Sequence, residues 1–369
     1  MLTGIRMLFL LCCLFVIGCA GNQKVATDTD TEVLPATTLR PFGRTSIEEK
    51  GLALISSASH FGFRFEGTEC RIIASVPEWL GHNYLQYEID GVYQKRLRIS
   101  SKSGEPIVIK APADGRHTVW IYKATEAHTG PVYIQRVEAR NVSALQRPTA
   151  PLIEFIGNSI TCGAAADPSE VPCGTGVYHD QHNAYMAYGP RLARALNTNF
   201  LLSSVSGIGV YRNWNSDGPT MPQVYEQRDF QPAGSAKWNF ATWSPDVVSI
   251  ALGTNDFSRG DGKKERLPFD SAWFVTAYIQ FVQQVQAKYP AAQLALLSSP
   301  MVNGAARELL QNCLTAVKTT VDAARTNAKP LALYFFQPMQ ASGCTGHPSV
   351  AEHGRMAEEL LPFFRKLLP

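Results

Sequence analysis

The short segment Leu145–Pro151, "LQRPTAP", separates two stretches of this 369-residue chain whose side-chain periodicities cannot belong to one layer. Before it, "CRIIASV", "YLQYEIDGVYQKRLRIS", "EPIVIKAPADGRHTVWIY" and "VYIQRVEARNV" run or alternate in β-branched and aromatic residues, punctuated by the hairpin signals Asp90-Gly91 and Asp114-Gly115. No helical period appears, so a small antiparallel β-sandwich is expected over residues 42–147. After it, apolar strands such as "LIEFIG", "NFLLSSVSG", "PDVVSIALGTND", "AQLALLSSP" and "PLALYFFQP" alternate with amphipathic stretches such as "HNAYMAYGPRLARALN" and "SAWFVTAYIQFVQQVQAKYP". That alternation implies a parallel sheet covered by helices on both faces, filling residues 148–369. The last helix opens on a capping box, Ser349 with Glu352.

The first residues carry Arg6, an apolar run from Met7 to Ile17, and then Gly18-Cys19-Ala20-Gly21. A run this short falls below the ~20 residues of a bilayer span and reads as a cleaved signal over residues 1–19. "VIGC", Val16 to Cys19, resembles a bacterial lipobox, which would place a lipid on Cys19 and make the protein an exported, membrane-anchored lipoprotein of the cell surface or periplasm. Residues 20–41, polar and Thr-rich, read as a flexible tether. A formal charge of +3 gives no reason to expect nucleic acid, and a monomer touching the membrane only through its anchor is expected.

Export changes how the cysteines are read. Cys70, Cys162, Cys173, Cys313 and Cys344 remain in the mature chain, match no zinc spacing, and would pair in an oxidising compartment. Cys162 with Cys173 would close a short loop, and Cys313 with Cys344 would tie a helix to the loop bearing His347, leaving Cys70 free; sequence alone does not fix connectivity.

Ligands of open parallel α/β sheets bind at the carboxyl ends of the strands. Four polar clusters stand there: Gly157-Asn158-Ser159, Ser206-Gly207, Gly253-Thr254-Asn255-Asp256, and Gly346-His347-Pro348 on the loop after the last strand. Together they contain the parts of an acyl-transfer site. A serine hydroxyl needs an imidazole to take its proton, which His347 could do for Ser159. The resulting oxyanion needs aimed donors, which the Ser159 N–H, the Gly207 or Gly209 N–H and the Asn255 amide could supply. Asn158 reads as a turn former.

"GNSIT", "SGIGV", "GTND" and "GHPS" resemble the four blocks of the SGNH (GDSL-type) hydrolases, and the likeness runs from about Ala150 to the C-terminus. "IEFIGNSITCG", "MAYGPRLARALN", "SGIGVYRN", "MPQVYEQ" and "GCTGHPS" behind a β-sandwich narrow it to carbohydrate esterase family 2. The resemblance implies a jelly-roll domain joined to a flavodoxin-like hydrolase domain. It also implies Ser159 as nucleophile, His347 as base, Gly207 and Asn255 in the oxyanion hole, no cofactor and no metal. The substrate class it implies is acetylated plant cell-wall polysaccharide or its oligosaccharides. Thr345 stands where the family commonly has an Asp two residues before the histidine, so the resemblance implies a Ser–His dyad with the ring oriented by a main-chain carbonyl. Asp256 is a candidate for a supporting carboxylate.

Tyr178, Tyr211 and Trp214 fall in loops near these blocks, and aromatic faces suit sugar rings. His179 and His182 lie in the loop after Cys173 and could line the cleft, though they match no block, while His353 and the sandwich histidines suit packing or surface roles. Two alternatives stay open: a lipase or thioesterase of the same superfamily, and a carbohydrate-binding lipoprotein with an inactive hydrolase half.

Overall fold

A computed structural model describes residues 31–101, 105–232, 236–325 and 328–369. The expected signal, Cys19 and the first part of the tether lie outside them. Among the described residues the N-terminal domain is built from β1 (Glu32–Pro35), β2 (Thr45–Glu48), β3 (Gly51–Leu54), β4 (His60–Ser75), β5 (His82–Ile89), β6 (Val92–Ser100), β7 (Ile107–Lys110), β8 (Arg116–Lys123) and β9 (Val132–Ala144). Every strand pair is antiparallel.

The long strand β4 shapes this domain. Its first half pairs with β8, its second with β7, and its register against β9 slips between Glu66 and Arg71, where Gly67 takes φ +118°. The slip bends the sheet over its own core, into which alternate residues Phe61, Phe63 and Phe65 point with Ile72, Leu85, Ile121 and Val137. Asp90 and Gly91 both have positive φ, as a tight hairpin between β5 and β6 requires. Part of the expected tether is structured: β1 pairs with β9, because Leu34 and Leu39 find places in the sandwich core.

The second domain comprises β10 (Leu152–Gly157), α1 (Ser159–Cys162), α2 (Tyr188–Leu196), β11 (Asn199–Ser204), α3 (Met221–Val224), β12 (Val247–Ala251), α4 (Thr254–Phe257), α5 (Ser271–Lys288), β13 (Gln293–Leu297), α6 (Ala305–Ala323), β14 (Ala332–Tyr334) and α7 (Val350–Arg365). Its parallel sheet has the order β11-β10-β12-β13-β14, the flavodoxin-like order. Ile153 and Phe155 pack towards α2 and α7, whereas Ile156 packs towards α5 and α6. The strand order reverses between β10 and β12, so a crevice opens at the ends of the strands that precede Ser159 and Asn255.

Helix α2 begins at Tyr188, later than the amphipathic pattern from His182 suggests. The missing turns are used on the other domain: the Ala184 N–H donates to the Ala124 carbonyl, the Tyr185 N–H to Gln86 Oε1, and Asn183 Oδ1 accepts from Gln86. Arg44 crosses in the opposite sense, donating to the carbonyls of Tyr225 and Gln227 with its guanidinium 4.0 Å from the Phe230 ring centre. Removing such a buried cation would leave its acceptors unpaired, so the interface is a fixed part of the molecule.

Two histidines are closed into this framework. His60 stacks between Phe42 and Phe200 at the domain junction, and His353, on the buried face of α7, stacks on Tyr188. Burial holds them neutral, at about 4 for His60 and about 3 for His353, against an ordinary 6.5. Below pH 6.5 the unfolded chain binds protons that the folded chain refuses, so stability is lost as pH falls. Each histidine contributes about 1.4 kcal/mol per pH unit. Urea unfolding at pH 7, 6 and 5 is expected to show the decline beginning well above the carboxylate range; a flat profile to pH 5 would contradict it.

Candidate active site

The turn after β10 is shaped by sterics. A Cβ at Gly157 would lie 2.0 Å from Thr161 Oγ1, so glycine alone lets α1 start there. Asn158 caps the helix, its side chain accepting from the Ile160 N–H at 3.1 Å, which is the turn role its sequence context suggested. Ser159 therefore stands on the first residue of α1, facing the crevice.

Ser159, Gly207, Asn255 and His347 line one cavity of about 570 Å³, together with Ile160, Tyr178, Ser206, Trp214, Thr254, Ser258, Met301, Thr345 and Gly346. The four blocks thus converge. Gly207 has φ +75°, a conformation natural to glycine, and its carbonyl accepts from the Trp214 N–H at 2.7 Å. Gly209 is excluded as the oxyanion donor, since its N–H already donates to Asn213 Oδ1 at 3.1 Å. Asn255 follows Gly253, which takes φ +120°. One amide hydrogen of Asn255 donates to the Ile208 carbonyl at 2.7 Å, and the NH2 group carries a second.

His347 leaves a turn in which Thr345 has φ +49° and Gly346 φ +74°. The Cys173–Cys344 disulfide and the Cys344 N–H bond to the Ala165 carbonyl hold that turn. The hydroxyl of Thr345 lies 3.2 Å from His347 Nδ1, leaving Nε2 as the ring nitrogen free to serve as base. Burial, reinforced by nearby His182, lowers the His347 pKa, while the Cys344 carbonyl, Glu126 and the Thr345 carbonyl oppose that shift. A neutral imidazole at neutral pH is the form a general base requires.

Several expectations are corrected. The disulfide joins Cys173 to Cys344, with Cα atoms 5.2 Å apart, in place of the pairs Cys162–Cys173 and Cys313–Cys344. Cys162 is turned inward to donate to Ser204 Oγ, and Cys313, on the buried face of α6, packs into the core, so both are free and buried. Cys70 is free and buried as expected. Asp256 does not serve His347: it accepts from the N–H groups of Val210, Tyr211 and Arg212, tying the Gly207 loop to α4. Tyr178 and Trp214 face the cavity, about half exposed, whereas the Tyr211 ring turns away to pack on Phe269, Trp273 and Phe274.

Sequence patterns gave no notice of Glu126, which reaches the site from the sandwich; its neighbour His182 was expected only as a loop residue that could line the cleft. Among the described residues one group of metal-ligand type, His82, His179 and Asp180, also comes together across the domain junction. Its atoms are already paired: Asp180 Oδ1 with His82 and the Tyr84 hydroxyl, and His179 with the His82 carbonyl.

Residues 155–355 match the model of the GDSL-like lipase/acylhydrolase family, and residues 42–148 match the carbohydrate esterase 2 N-terminal domain. The chain is 31% identical over 317 residues to the cellulase/esterase CelE of Acetivibrio thermocellus, covering 82% of this chain but 36% of that longer protein. It is 24% identical over 363 residues to an acetylxylan esterase / glucomannan deacetylase of Cellvibrio japonicus, covering 96% of each. It superposes with a TM-score of 0.75 on a family two carbohydrate esterase from Clostridium thermocellum solved in complex with cellohexaose, at 28% identity over 89% of this chain and 98% of that one. With the strand order, the four converging blocks and both domain matches in agreement, the chain belongs to the GDSL-like lipase/acylhydrolase family and carries that domain behind a carbohydrate esterase 2 N-terminal domain.

Proposed function

We propose that this protein is an exported serine esterase that removes acetyl groups from plant cell-wall polysaccharides or their oligosaccharides, through an acetyl-serine intermediate. The convergence of Ser159, Gly207, Asn255 and His347 on one cavity carries the reading. His347 Nε2 takes the Ser159 proton as Oγ attacks the acetyl carbon, and the oxyanion forms against the N–H groups of Ser159 and Gly207 and the Asn255 amide. Collapse expels the sugar hydroxyl, which leaves with the proton from His347. Water, activated by the same ring, then releases acetate and restores Ser159. No step calls for a cofactor.

The relatives' named substrates, acetylxylan and glucomannan, support a polysaccharide. So does a second cavity of about 530 Å³ that shares Ser206, Gly207 and Trp214 with the first and extends the cleft for neighbouring sugar units. The exposed ring of Trp214 offers a stacking face. Export and a lipid on Cys19 belong to the same proposal, supported by the disulfide, which persists in oxidising compartments.

Acetate release from acetylated xylan, glucomannan and pectin, set beside acetyl and octanoyl nitrophenyl esters, tests the substrate class. The acetylxylan esterases among the relatives lead us to expect acetyl esters to be favoured by roughly 10²-fold or more in kcat/KM. Octanoyl turnover equal to acetyl would return the protein to the lipase class, and glycan binding without any ester cleavage would favour the inactive binder.

A further inference from the structure

Glu126 belongs to the sandwich domain, in the loop after β8, yet its carboxylate is 2% exposed and turned into the hydrolase site. Oε2 accepts the Ser206 N–H at 2.7 Å, and Ser206 immediately precedes Gly207. Oε1 faces His182 Nε2 at 3.4 Å. The other ring nitrogen of His182, Nδ1, lies 3.3 Å from the Ala165 nitrogen, so Nε2 is the one that meets the carboxylate. The buried thiol of Cys162 lies 3.7 Å from Oε2. Burial works against the charge, but the bonds from His182 and Ser206 hold the carboxyl down at about 2.

The contacts close a ring around both halves of the dyad's environment. The Tyr178 hydroxyl donates to Ser206 Oγ at 3.2 Å, and the Tyr178 ring stands edge-on to His182 at 4.7 Å and to His347 at 6.4 Å. The charged and titratable groups in this shell are few. From the sandwich come Glu126 and Lys123, whose buried amine, lowered by burial to about 7, donates to the Thr125 and Glu126 carbonyls. From the hydrolase domain come Tyr178, His182 and Cys162, with His347 itself, which acts in turn on His353 of α7. Glu126 is the one carboxylate among the groups acting on His347, and Thr345 contributes a hydroxyl.

We propose that Glu126 is a positioning residue supplied to the hydrolase site by the sandwich domain. It anchors the Ser206–Gly207 turn so that the Gly207 N–H is aimed before the oxyanion forms, and its charge offsets the imidazolium that develops on His347. The sandwich then completes the hydrolase site. This rests on the Ser159–His347 reading above.

The experiment compares Glu126→Gln and Glu126→Asp with the wild-type protein and with Ser159→Ala, reading kcat, KM, the pH profile of kcat/KM and the unfolding temperature. Glu126→Gln removes charge, and we expect kcat to fall about 10- to 100-fold with KM changed by less than about threefold, as for a weakened oxyanion donor. The acid limb of kcat/KM should move to lower pH, because an imidazolium without its countercharge loses its proton more readily. Glu126→Asp keeps the charge and shortens the reach to Ser206, so kcat should fall with the acid limb in place. Wild-type kcat in Glu126→Gln would overturn the proposal, as would a drop tracking only a lower unfolding temperature with the acid limb unmoved. Should Glu126→Gln not fold, wild-type kcat in Glu126→Asp would overturn it equally. Activity surviving in Ser159→Ala would instead remove the dyad reading on which it rests.

Discussion

Alanine at Ser159 is expected to lower acetate release by roughly 10⁴- to 10⁶-fold while leaving the unfolding temperature within a degree or two of wild type. The hydroxyl is no part of the framework: Asn158 caps α1 and Gly157 makes the turn, so neither helix nor strand depends on it. His347→Ala should cost a similar factor, and the double variant little more than either alone, because nucleophile and base act as one unit. Residual turnover above water would come from the Gly207 and Asn255 donors. The three variants measured side by side on an acetyl ester check this. Additive losses in the double variant would mean that the two residues do not serve one step.

The second large effect is expected from the disulfide. Cys173 and Cys344 are 171 residues apart, and a link closing so long a loop stabilises by about 5 kcal/mol in the chain-entropy treatment. Reduction, or serine at both positions, should lower the unfolding temperature by roughly 10 °C. Activity should fall further than stability alone explains. The bond holds the turn in which Thr345 and Gly346 take positive φ, and His347 follows directly from that turn. Calorimetry and kcat with and without reductant test both parts; an unchanged kcat below the new unfolding temperature would show that the turn holds itself.

Much of this was legible in local sequence. Gly157-Asn158-Ser159 is a self-contained turn whose glycine, cap and nucleophile each have a local reason, and alternating apolar strands and amphipathic helices prescribe a parallel sheet whatever surrounds them. Illegible parts depend on contacts between distant residues. Glu126 meets Ser206 across a domain boundary, and nothing in "TEAHTG" marks its glutamate as buried. The cysteine spacing suggested two short-range pairs, but Cys162 and Cys313 face the core and only Cys173 reaches Cys344. Tyr211 shares a loop with Gly207, and only the packing of α5 decides that its ring turns away. Helix α2 starts late for the same reason, since tertiary hydrogen bonds to the sandwich outcompete the helical pattern.

The most direct test is a rapid-quench digest of the protein during turnover of an acetyl ester, with mass spectrometry of the peptide containing Ser159. The expected result is a transient acetyl group on Ser159, accumulating before steady state, absent in Ser159→Ala, and longer-lived in His347→Ala enzyme that has been acetylated. Steady acetate release with no acetyl on Ser159 at any quench time, or an acetyl group on another residue that turns over at the rate of the reaction, would contradict it.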